Sequence, residues 1–390
     1  MAAVLAGPLA ALATIFLFFA NQAGPVMMTL LATQRPAALA VVRTGADDVM
    51  FSPDGGLLAA AYGNGTVWLW NPATNQRRSL AAPTSSPVGA DSVAFSPHGK
   101  LLAAAYSDGT IRLWNPITGR AAGSPLRSNW GGVNAVAFSP DGKQLAAAYG
   151  NGTIRLWNPT TGQSRGLVAS GSSAAGANAV AFGLGGKLLA AGYGDGAVRL
   201  WDPDTSTGQA AGSPLQTGSS SVNAVAFSPD SELLATADSN GTVWLWDPAT
   251  NQRLSLAPPG SSPIGAESVA FSQNGKLLAI AYTNGAIGLW NPYTVQAAGS
   301  PIQTSYGSVN AVAFSPDGEQ LAAAYGNSYI RLWNPDSGQQ GGLGGGWLVT
   351  AAAVIAIVVS ALAIAITVRE LGPVNRWLSI PGGRLWRSCC

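Results

Sequence analysis

Seven polar side chains occupy the same place in successive copies of a repeated segment, each the second residue of a short run that is otherwise largely apolar. Three are acids and four are amides: Asp47, Asp91, Asn134, Asn178, Asn223, Glu267 and Asn310. Carboxylates and amides at one repeated place could coordinate a cation, hold a sugar or bind a peptide backbone. They could equally satisfy strand ends and bind water, and the sequence leaves both interpretations open.

The residue types that most catalytic sites need are scarce in this chain. There is one histidine, His98, and the two cysteines, Cys389 and Cys390, are the last two residues. No set of His, Cys, Asp and Glu has the spacing of zinc ligands. His98 stands where most copies have the Asp of a Ser-Pro-Asp-Gly turn, so we interpret it as a solvated turn residue rather than a catalytic or ligand residue. We therefore predict a non-catalytic protein with no metal and no cofactor.

The elements that position these side chains follow from a longer pattern. A tryptophan followed by Asn or Asp marks each copy, and successive tryptophans are 43 to 45 residues apart. A fixed period of this length indicates one supersecondary unit copied along the chain. The seven tryptophans are Trp70, Trp114, Trp157, Trp201, Trp246, Trp290 and Trp333.

Within one copy, β-prone runs alternate with turn sequences. In the third copy the runs from Val133 to Phe138, Gln144 to Tyr149 and Thr153 to Trp157 are separated by Ser-Pro-Asp-Gly and Gly-Asn-Gly. This pattern predicts an antiparallel meander of three strands, and a less apolar fourth run is typical of an outer edge strand. The alanine-rich second run indicates sheets packed closely face to face, with the tryptophan filling the space that the alanines leave.

These residues resemble the tryptophan-aspartate (WD) repeat family over about residues 38 to 335. The resemblance implies an all-β, seven-bladed β-propeller of four-stranded antiparallel blades. It also implies that an N-terminal strand, here Ala38 to Arg43, completes the last blade beside Tyr329 to Trp333. Two features depart from the family: the Gly-His before the first strand is missing, and Asn follows five of the seven tryptophans. Its usual His to Asp network therefore cannot form, and we expect stability to depend on aromatic and alanine packing.

In the family that this chain resembles, the seven polar positions open onto the face where partners bind. The loops before them carry Trp130 and Tyr306, which could anchor a partner or could pack against their own blades. Trp68 and Trp244 take a position that is Arg in four other copies, and we expect them to pack between blades, with an exposed contact patch as the alternative.

A second, longer period overlies the first. Residues 64 to 96 and 240 to 272 are closely similar at an offset of 176, and Trp70, Trp114 and Trp157 recur at that offset. The chain therefore contains a duplicated four-blade block. Trp130 and Tyr306 occupy equivalent places in the two blocks.

Charge and hydropathy divide the chain into regions. Residues 36–338 form the predicted propeller, and residues 36 to 340 contain 15 Lys and Arg against 17 Asp and Glu, so a nucleic-acid partner is not expected. Residues 347–368 are apolar and uncharged, long enough for a transmembrane helix. Residues 1–35 are interpreted as a membrane anchor or a signal segment, and residues 339–346 as a glycine-rich linker.

Residues 369–390 hold four Arg and one Glu, which predicts a basic cytoplasmic tail under the positive-inside rule. The propeller would then lie on the extracytoplasmic side of the membrane, as in a membrane-anchored, bacterial-type member of the family. We expect a membrane-tethered binding or sensing module whose ligand is a protein, peptide or glycan. The alternative is a cytoplasm-facing, membrane-anchored scaffold for protein assembly.

Overall fold

The computed structural model describes residues 45–80, 88–167, 175–205, 208–218, 220–256 and 264–341. These residues form seven antiparallel sheets, which confirms the predicted all-β propeller of seven blades. The predicted membrane segments (residues 1–35 and 347–368), the basic tail and the segment from Ala38 to Arg43 lie outside the described residues. Within the described part of the chain, no helix is long and apolar enough to cross a membrane.

Each blade is a meander that runs from the centre of the ring to its outer edge. Blade 1 contains β1 (Ala46–Phe51), β2 (Leu58–Tyr62), β3 (Val67–Trp70) and β4 (Arg77–Leu80). Blade 2 contains β5 (Ala90–Phe95), β6 (Leu102–Tyr106), β7 (Thr110–Trp114) and β8 (Leu126–Arg127). Blade 3 contains β9 (Val133–Phe138), β10 (Leu145–Tyr149), β11 (Ile154–Trp157) and β12 (Ser164–Leu167).

The second half of the chain repeats this arrangement. Blade 4 contains β13 (Ala177–Phe182), β14 (Leu189–Tyr193), β15 (Ala197–Trp201) and β16 (Leu215–Gln216), with a short 3-10 helix at Leu184–Gly186. Blade 5 contains β17 (Val222–Phe227), β18 (Leu234–Asp238), β19 (Val243–Trp246) and β20 (Arg253–Leu256). Blade 6 contains β21 (Ala266–Phe271), β22 (Leu278–Tyr282), β23 (Ala286–Asn291), β24 (Gln296–Ala297) and β25 (Ile302–Gln303). Blade 7 contains β26 (Val309–Phe314), β27 (Leu321–Tyr325), β28 (Ile330–Trp333) and β29 (Gln340–Gly341).

The interfaces between blades are apolar, and blade 7 packs against blade 1. One buried cluster combines Val49 and Tyr62 of blade 1 with Ala322 and Leu332 of blade 7. Six further clusters each join two successive blades in the same way. The second strands are wholly buried in every blade, so their alanines permit the close face-to-face packing predicted from the sequence.

The outer edge of blade 7 differs in part from the expectation. Leu332 and Trp333 pair with β29, which follows them in the chain. An N-terminal strand is therefore not the partner of these two positions. In blades 2, 4 and 6 the outer edge pairs with the third strand in two short pieces. One piece, which includes Ala121 in blade 2 and Ala297 in blade 6, pairs at the tryptophan end of the third strand.

The residue after each tryptophan has a local function that explains why Asn can replace Asp there. The side-chain oxygen of Asn71 accepts hydrogen bonds from the backbone N–H groups of Ala73 (3.0 Å) and Thr74 (2.9 Å). Asp247 accepts the equivalent pair from Ala249 and Thr250. An amide oxygen and a carboxylate oxygen serve equally as acceptors in such a turn, so this departure from the family pattern leaves the fold intact.

The repeat tryptophans are buried, apart from the half-buried Trp290, but they do not share one hydrogen-bond partner. Trp157 donates to the hydroxyl oxygen of Tyr149 (3.1 Å), and Trp333 donates to that of Tyr325 (3.2 Å). Trp246 donates instead to Thr236 at 3.3 Å. Trp114 is equally buried, yet its indole N–H has no hydrogen-bond partner among the described residues. Packing is therefore the shared role of these side chains, and the indole hydrogen bond varies from blade to blade.

Candidate binding site at the channel mouth

The seven predicted polar residues come together in one ring. Each lies at a β-bulge of the first strand: in blade 3, for example, Tyr149 pairs with Val133 and Ala148 with Ala135, which leaves Asn134 between them unpaired. The same shift occurs in the other six blades. A bulge re-aims the side chain of the extra residue. The seven side chains line one end of a central cavity of about 830 Å³, to which the first strands of all seven blades contribute.

We call this end of the propeller the ring face, because the first strands begin there with Asp47, Asp91, Asn134, Asn178, Asn223, Glu267 and Asn310. Turns between the second and third strands lie on the same face. Gly65, in the first of these turns, has φ of 82°, and a Cβ atom there would be 2.1 Å from the carbonyl oxygen of Val88. Only glycine fits such a position. The opposite, turn face carries the Ser-Pro-Asp-Gly turns.

Each of the four asparagines of the ring joins its own blade to the next one by a hydrogen bond. The amide nitrogen of Asn310 donates to the carbonyl oxygen of Ala46 at 3.0 Å, which ties blade 7 to blade 1 across 264 residues. The other three donate in the same direction: Asn134 to Ala177 (2.9 Å), Asn178 to Val222 (3.1 Å) and Asn223 to Ala266 (3.1 Å). These four side chains therefore make a structural contact between blades, and they remain half-buried.

The three acids cannot make this bond when ionised, because a carboxylate has no proton to donate. Glu267 accepts a hydrogen bond from the amide of Asn223 at 3.3 Å. Among the described residues, no cation or hydrogen-bond donor is found at the carboxyl groups of Asp47 and Asp91. Burial and the neighbouring Asp48 raise the pKa of Asp47 to about 6. Burial and the charge of Asp47 raise the pKa of Asp91 to about 7.

Asp48, which the sequence analysis did not single out, lies next in the same wall. Its carboxylate accepts from the backbone N–H of Val93 in blade 2 (2.9 Å) and from that of Val49 (2.8 Å). Ser92 and Ser268 take the equivalent place in blades 2 and 6 and accept from Val136 (3.4 Å) and Val312 (3.3 Å). Burial raises the pKa of Asp48 in spite of these hydrogen bonds. The signal that could have identified it is an acid where every other copy has Ser or Ala.

Blade 1 is thus the distinctive side of the cavity. At three positions of β1 it has Asp47, Asp48 and Met50, whereas its duplicate 176 residues later has Asn223, Ala224 and Ala226. Met50 lines the cavity and is 38% exposed. No Lys, Arg or His is among the described residues that line the cavity, which are otherwise mainly apolar or amide. The described wall is therefore acidic on the side of blades 1 and 2 and neutral on the side of blades 3 to 5.

The two loop aromatics differ in exposure. Trp130 is 42% exposed, and the guanidinium of Arg155 lies 5.3 Å from the centre of its ring. Tyr306 packs edge-on against Tyr325 (5.5 Å between ring centres) and under Arg331, so it mainly fills its own blade. The structure therefore leaves Trp130 as the accessible member of the pair.

Trp68 and Trp244 are half-buried on the third strands of blades 1 and 5, where each packs against the cluster that joins its blade to the preceding one. Arg77 lies 5.3 Å from the ring of Trp68, and Arg253 lies 4.0 Å from the ring of Trp244. Elsewhere the third strand supplies the arginine and the second strand or a loop supplies the aromatic ring, as for Arg199 over Tyr193 (4.2 Å). Blades 1 and 5 therefore keep a cation–π contact, but there the third strand supplies the aromatic ring and the fourth strand supplies the arginine.

Two further features were missed from the sequence. Asp238 replaces the tyrosine that ends the second strand in the other six blades; it is buried, and burial raises its pKa to about 6 while Trp244 donates to it at 3.2 Å. Residues 162 to 166 match the Gly-x-Ser-x-Gly pattern of hydrolases. Ser164, however, begins an outer strand rather than a strand-to-helix turn, and Arg155 donates to its hydroxyl oxygen at 3.0 Å.

No cluster of three or more His, Cys, Asp or Glu side chains within the described ranges is arranged to hold a metal ion.

Comparison with known families agrees with this architecture. The sequence pattern described as WD domain, G-beta repeat matches six segments that together span more than half of the chain: residues 42–71, 75–115, 123–158, 166–202, 212–247 and 299–334. The structure adds the blade formed by β21 to β25, between the fifth and sixth matches. No curated protein matches the sequence.

Proposed function

We propose, from the premise that the chain belongs to the WD-repeat family, that it is a non-catalytic protein-interaction module whose partner binds at the ring face. The observation that carries this proposal is the asymmetry of the channel mouth. A ring used only to hold the blades together would need seven similar side chains. Here blades 1 and 2 place carboxylates where the scaffold uses amides.

The hydrogen bonds of the ring narrow the candidate contacts. The amide nitrogens of the four ring asparagines donate hydrogen bonds to the next blade. Each asparagine therefore offers chiefly its side-chain oxygen to a ligand. Asp47 and Asp91 keep their carboxyl oxygens unpaired within the described residues. We therefore assign the main polar contacts to these two acids, with Glu267 as a third acid further round the ring.

An apolar contact is available beside the acids. Met50 reaches into the cavity from the same strand as Asp47, and Trp130 lies exposed in the loop that leads from blade 2 to blade 3. Exposed aromatic side chains beside polar groups are common anchors in protein interfaces. Acids at the mouth, a methionine deeper in the channel and an exposed tryptophan in the loop before blade 3 suit a peptide segment with a positively charged or donor-rich side chain better than they suit a phosphate-bearing ligand.

The site can be tested by changing Asp47, Asp91 and Glu267 together to Ala in the full-length protein and comparing the proteins captured by chemical crosslinking in cells. Loss of a specific crosslinked protein, with the melting temperature retained, supports the ring face. Unchanged capture by the triple variant would remove the ring from the site. A matched control is Asp141→Ala, because Asp141 lies exposed on the turn face and should leave capture unchanged.

The duplicated block supplies a gentler set of variants. Asp47→Asn, Asp48→Ala and Met50→Ala each install the residue that blade 5 already carries at the equivalent place. These changes should preserve the fold and weaken capture, because they convert the distinctive blade into a copy of the neutral one. Full capture by the triple replacement would show that the asymmetry of blade 1 has no part in binding.

We also propose that the propeller is tethered to a membrane and faces the extracytoplasmic side. The support is the uncharged apolar run of residues 347–368 and the four arginines that follow it. Reporter fusions after Gly341 and after Cys390 separate the orientations. A Gly341 fusion active only on the extracytoplasmic side supports the proposal, and one active only in the cytoplasm supports the scaffold alternative.

A further inference from the structure

The interfaces between successive blades follow one rule with three exceptions. In four interfaces, an asparagine at the bulge donates to the carbonyl oxygen of the residue that begins the next blade's first strand. In the interfaces that follow blades 1, 2 and 6 the bulge residue is an acid. The carbonyl groups that correspond to the four acceptors are those of Ala90, Val133 and Val309.

Asp47 and Asp91 are the closest counterparts of asparagine in shape. A protonated aspartic acid has a hydroxyl donor in the place of the asparagine amide, so it can make the same bond. An ionised one presents a second oxygen to the carbonyl oxygen, and two acceptors repel. Ionisation therefore removes one fastening between blades and adds an unfavourable contact.

We propose that Asp47 and Asp91 form a pH-sensitive latch between blades 1, 2 and 3: when protonated, they donate to the carbonyl oxygens of Ala90 and Val133, and when ionised, they leave both bonds unmade. The latch holds the acidic side of the channel mouth closed at low pH and loosens it as the pH rises. It depends on the ring geometry alone and does not require the proposed partner.

The surrounding charges favour this behaviour. The ionisable groups that line the described cavity are Asp47, Asp48, Asp91 and Glu267, so each ionisation is opposed by other carboxylates and helped by no lining cation. In the neighbouring turn of blade 2, the hydroxyl of Ser107 donates to the carbonyl oxygen of Gly89, and Asp108 accepts hydrogen bonds from Thr110. On the other side of Asp47 the neighbouring ring residue is Asn310, whose amide is engaged with Ala46.

The direction of the pH effect follows from proton linkage. Because the folded-state pKa values of Asp47 (about 6) and Asp91 (about 7) lie above the usual value near 4, the folded protein keeps protons that the unfolded chain has lost. The contribution of these groups to stability is complete below about pH 4. It is lost as the pH rises through about 6 and 7.

The test compares the melting temperatures of the full-length protein and of the Asp47→Asn, Asp91→Asn double variant, without ligand, from about pH 5 to about pH 8. The wild-type melting temperature should fall across this range. The double variant should show a smaller fall and should melt above the wild type at the upper end. A double variant that melts below the wild type at about pH 8, or that keeps the wild-type pH slope, would overturn the latch.

A reciprocal variant keeps the test informative if the asparagine replacements are poorly tolerated. Asn223→Asp installs the acid at the equivalent place in blade 5, opposite the carbonyl of Ala266. It should lower the melting temperature more at about pH 8 than at about pH 5. An equal loss at both pH values would contradict the mechanism. Because no partner is present in either experiment, failure of the latch is distinguishable from failure of the binding proposal.

Discussion

Replacement of one indole by a phenyl ring should have different consequences in two blades that look alike in sequence. Trp114 and Trp157 both end a third strand, and they are 5% and 6% exposed. Trp157 donates to Tyr149 at 3.1 Å, whereas the N–H of Trp114 has no partner within the described residues. We predict that Trp157→Phe destabilises the protein more than Trp114→Phe does.

The size of the difference follows from the two environments. Both variants lose a similar apolar area, so that contribution largely cancels. Trp157→Phe also loses a buried hydrogen bond with a net contribution of about 1 kcal/mol. Trp114→Phe removes an unsatisfied buried donor and so relieves a penalty of about 1–3 kcal/mol. The free energies of unfolding of the two variants should therefore differ by roughly 2–4 kcal/mol.

The measurement is urea unfolding of the full-length protein and both variants, followed by circular dichroism under identical conditions. Tyr149→Phe is the matched control, because it removes the same hydrogen bond from the other side. Combined with Trp157→Phe it should add less than its separate effect. Equal losses for Trp114→Phe and Trp157→Phe would refute the assignment of the indole bonds.

Three further predictions concern ring closure, a glycine turn and a hydrogen bond to a carboxylate. Asn310→Ala should lower the free energy of unfolding by about 1–3 kcal/mol, because it leaves the buried carbonyl of Ala46 unpaired. Hydrogen exchange in β1 should become faster. Unchanged exchange would contradict a role of Asn310 in closing the ring. Gly65→Ala should lower the melting temperature far more than Gly123→Ala. Both glycines have positive φ, but a Cβ at Gly65 would meet the carbonyl oxygen of Val88, whereas a Cβ at Gly123 meets nothing within 4 Å. Equal effects would show that the contact with Val88 is unimportant. Hydrogen bonds from Ser228 and Tyr293 lower the pKa of Asp230, so Tyr293→Phe should raise that pKa. Any loss of stability should therefore appear above about pH 4 and fade at lower pH. An unchanged pKa of Asp230 in a carboxyl NMR titration would contradict this prediction.

The architecture could be predicted from the sequence because the repeat imposes it many times over. Each copy carries similar strands and turn residues and a terminal tryptophan, so the meander and the alanine-lined packing follow from one copy and the number of blades from the number of copies. The shared position within the repeat also predicted that the seven polar residues lie together, as they do in the structure. A side chain at the same place in each copy must lie at the same radius of a closed ring.

The roles of individual ring residues were not predictable in the same way. Whether Asn134 faces a ligand or the next blade depends on the bulge that turns its side chain, and alternation along a strand does not reveal a bulge. Asp48 was overlooked because its neighbour Asp47 fitted the repeated pattern, whereas its own significance lies in departing from that pattern. The different exposures of Trp130 and Tyr306 likewise depend on loop packing that the shared offset does not specify.

Site-specific photo-crosslinking tests the proposed binding face most directly. A photoreactive side chain would replace Met50, which lines the channel three residues along β1 from Asp47, or Ile117, which is 79% exposed on the turn face, in the full-length protein in its native cells. We predict a specific protein adduct from the Met50 position that is lost when Asp47 and Asp91 are also changed to Ala. Adducts formed only from the Ile117 position, or a Met50 adduct that persists without the two acids, would contradict it.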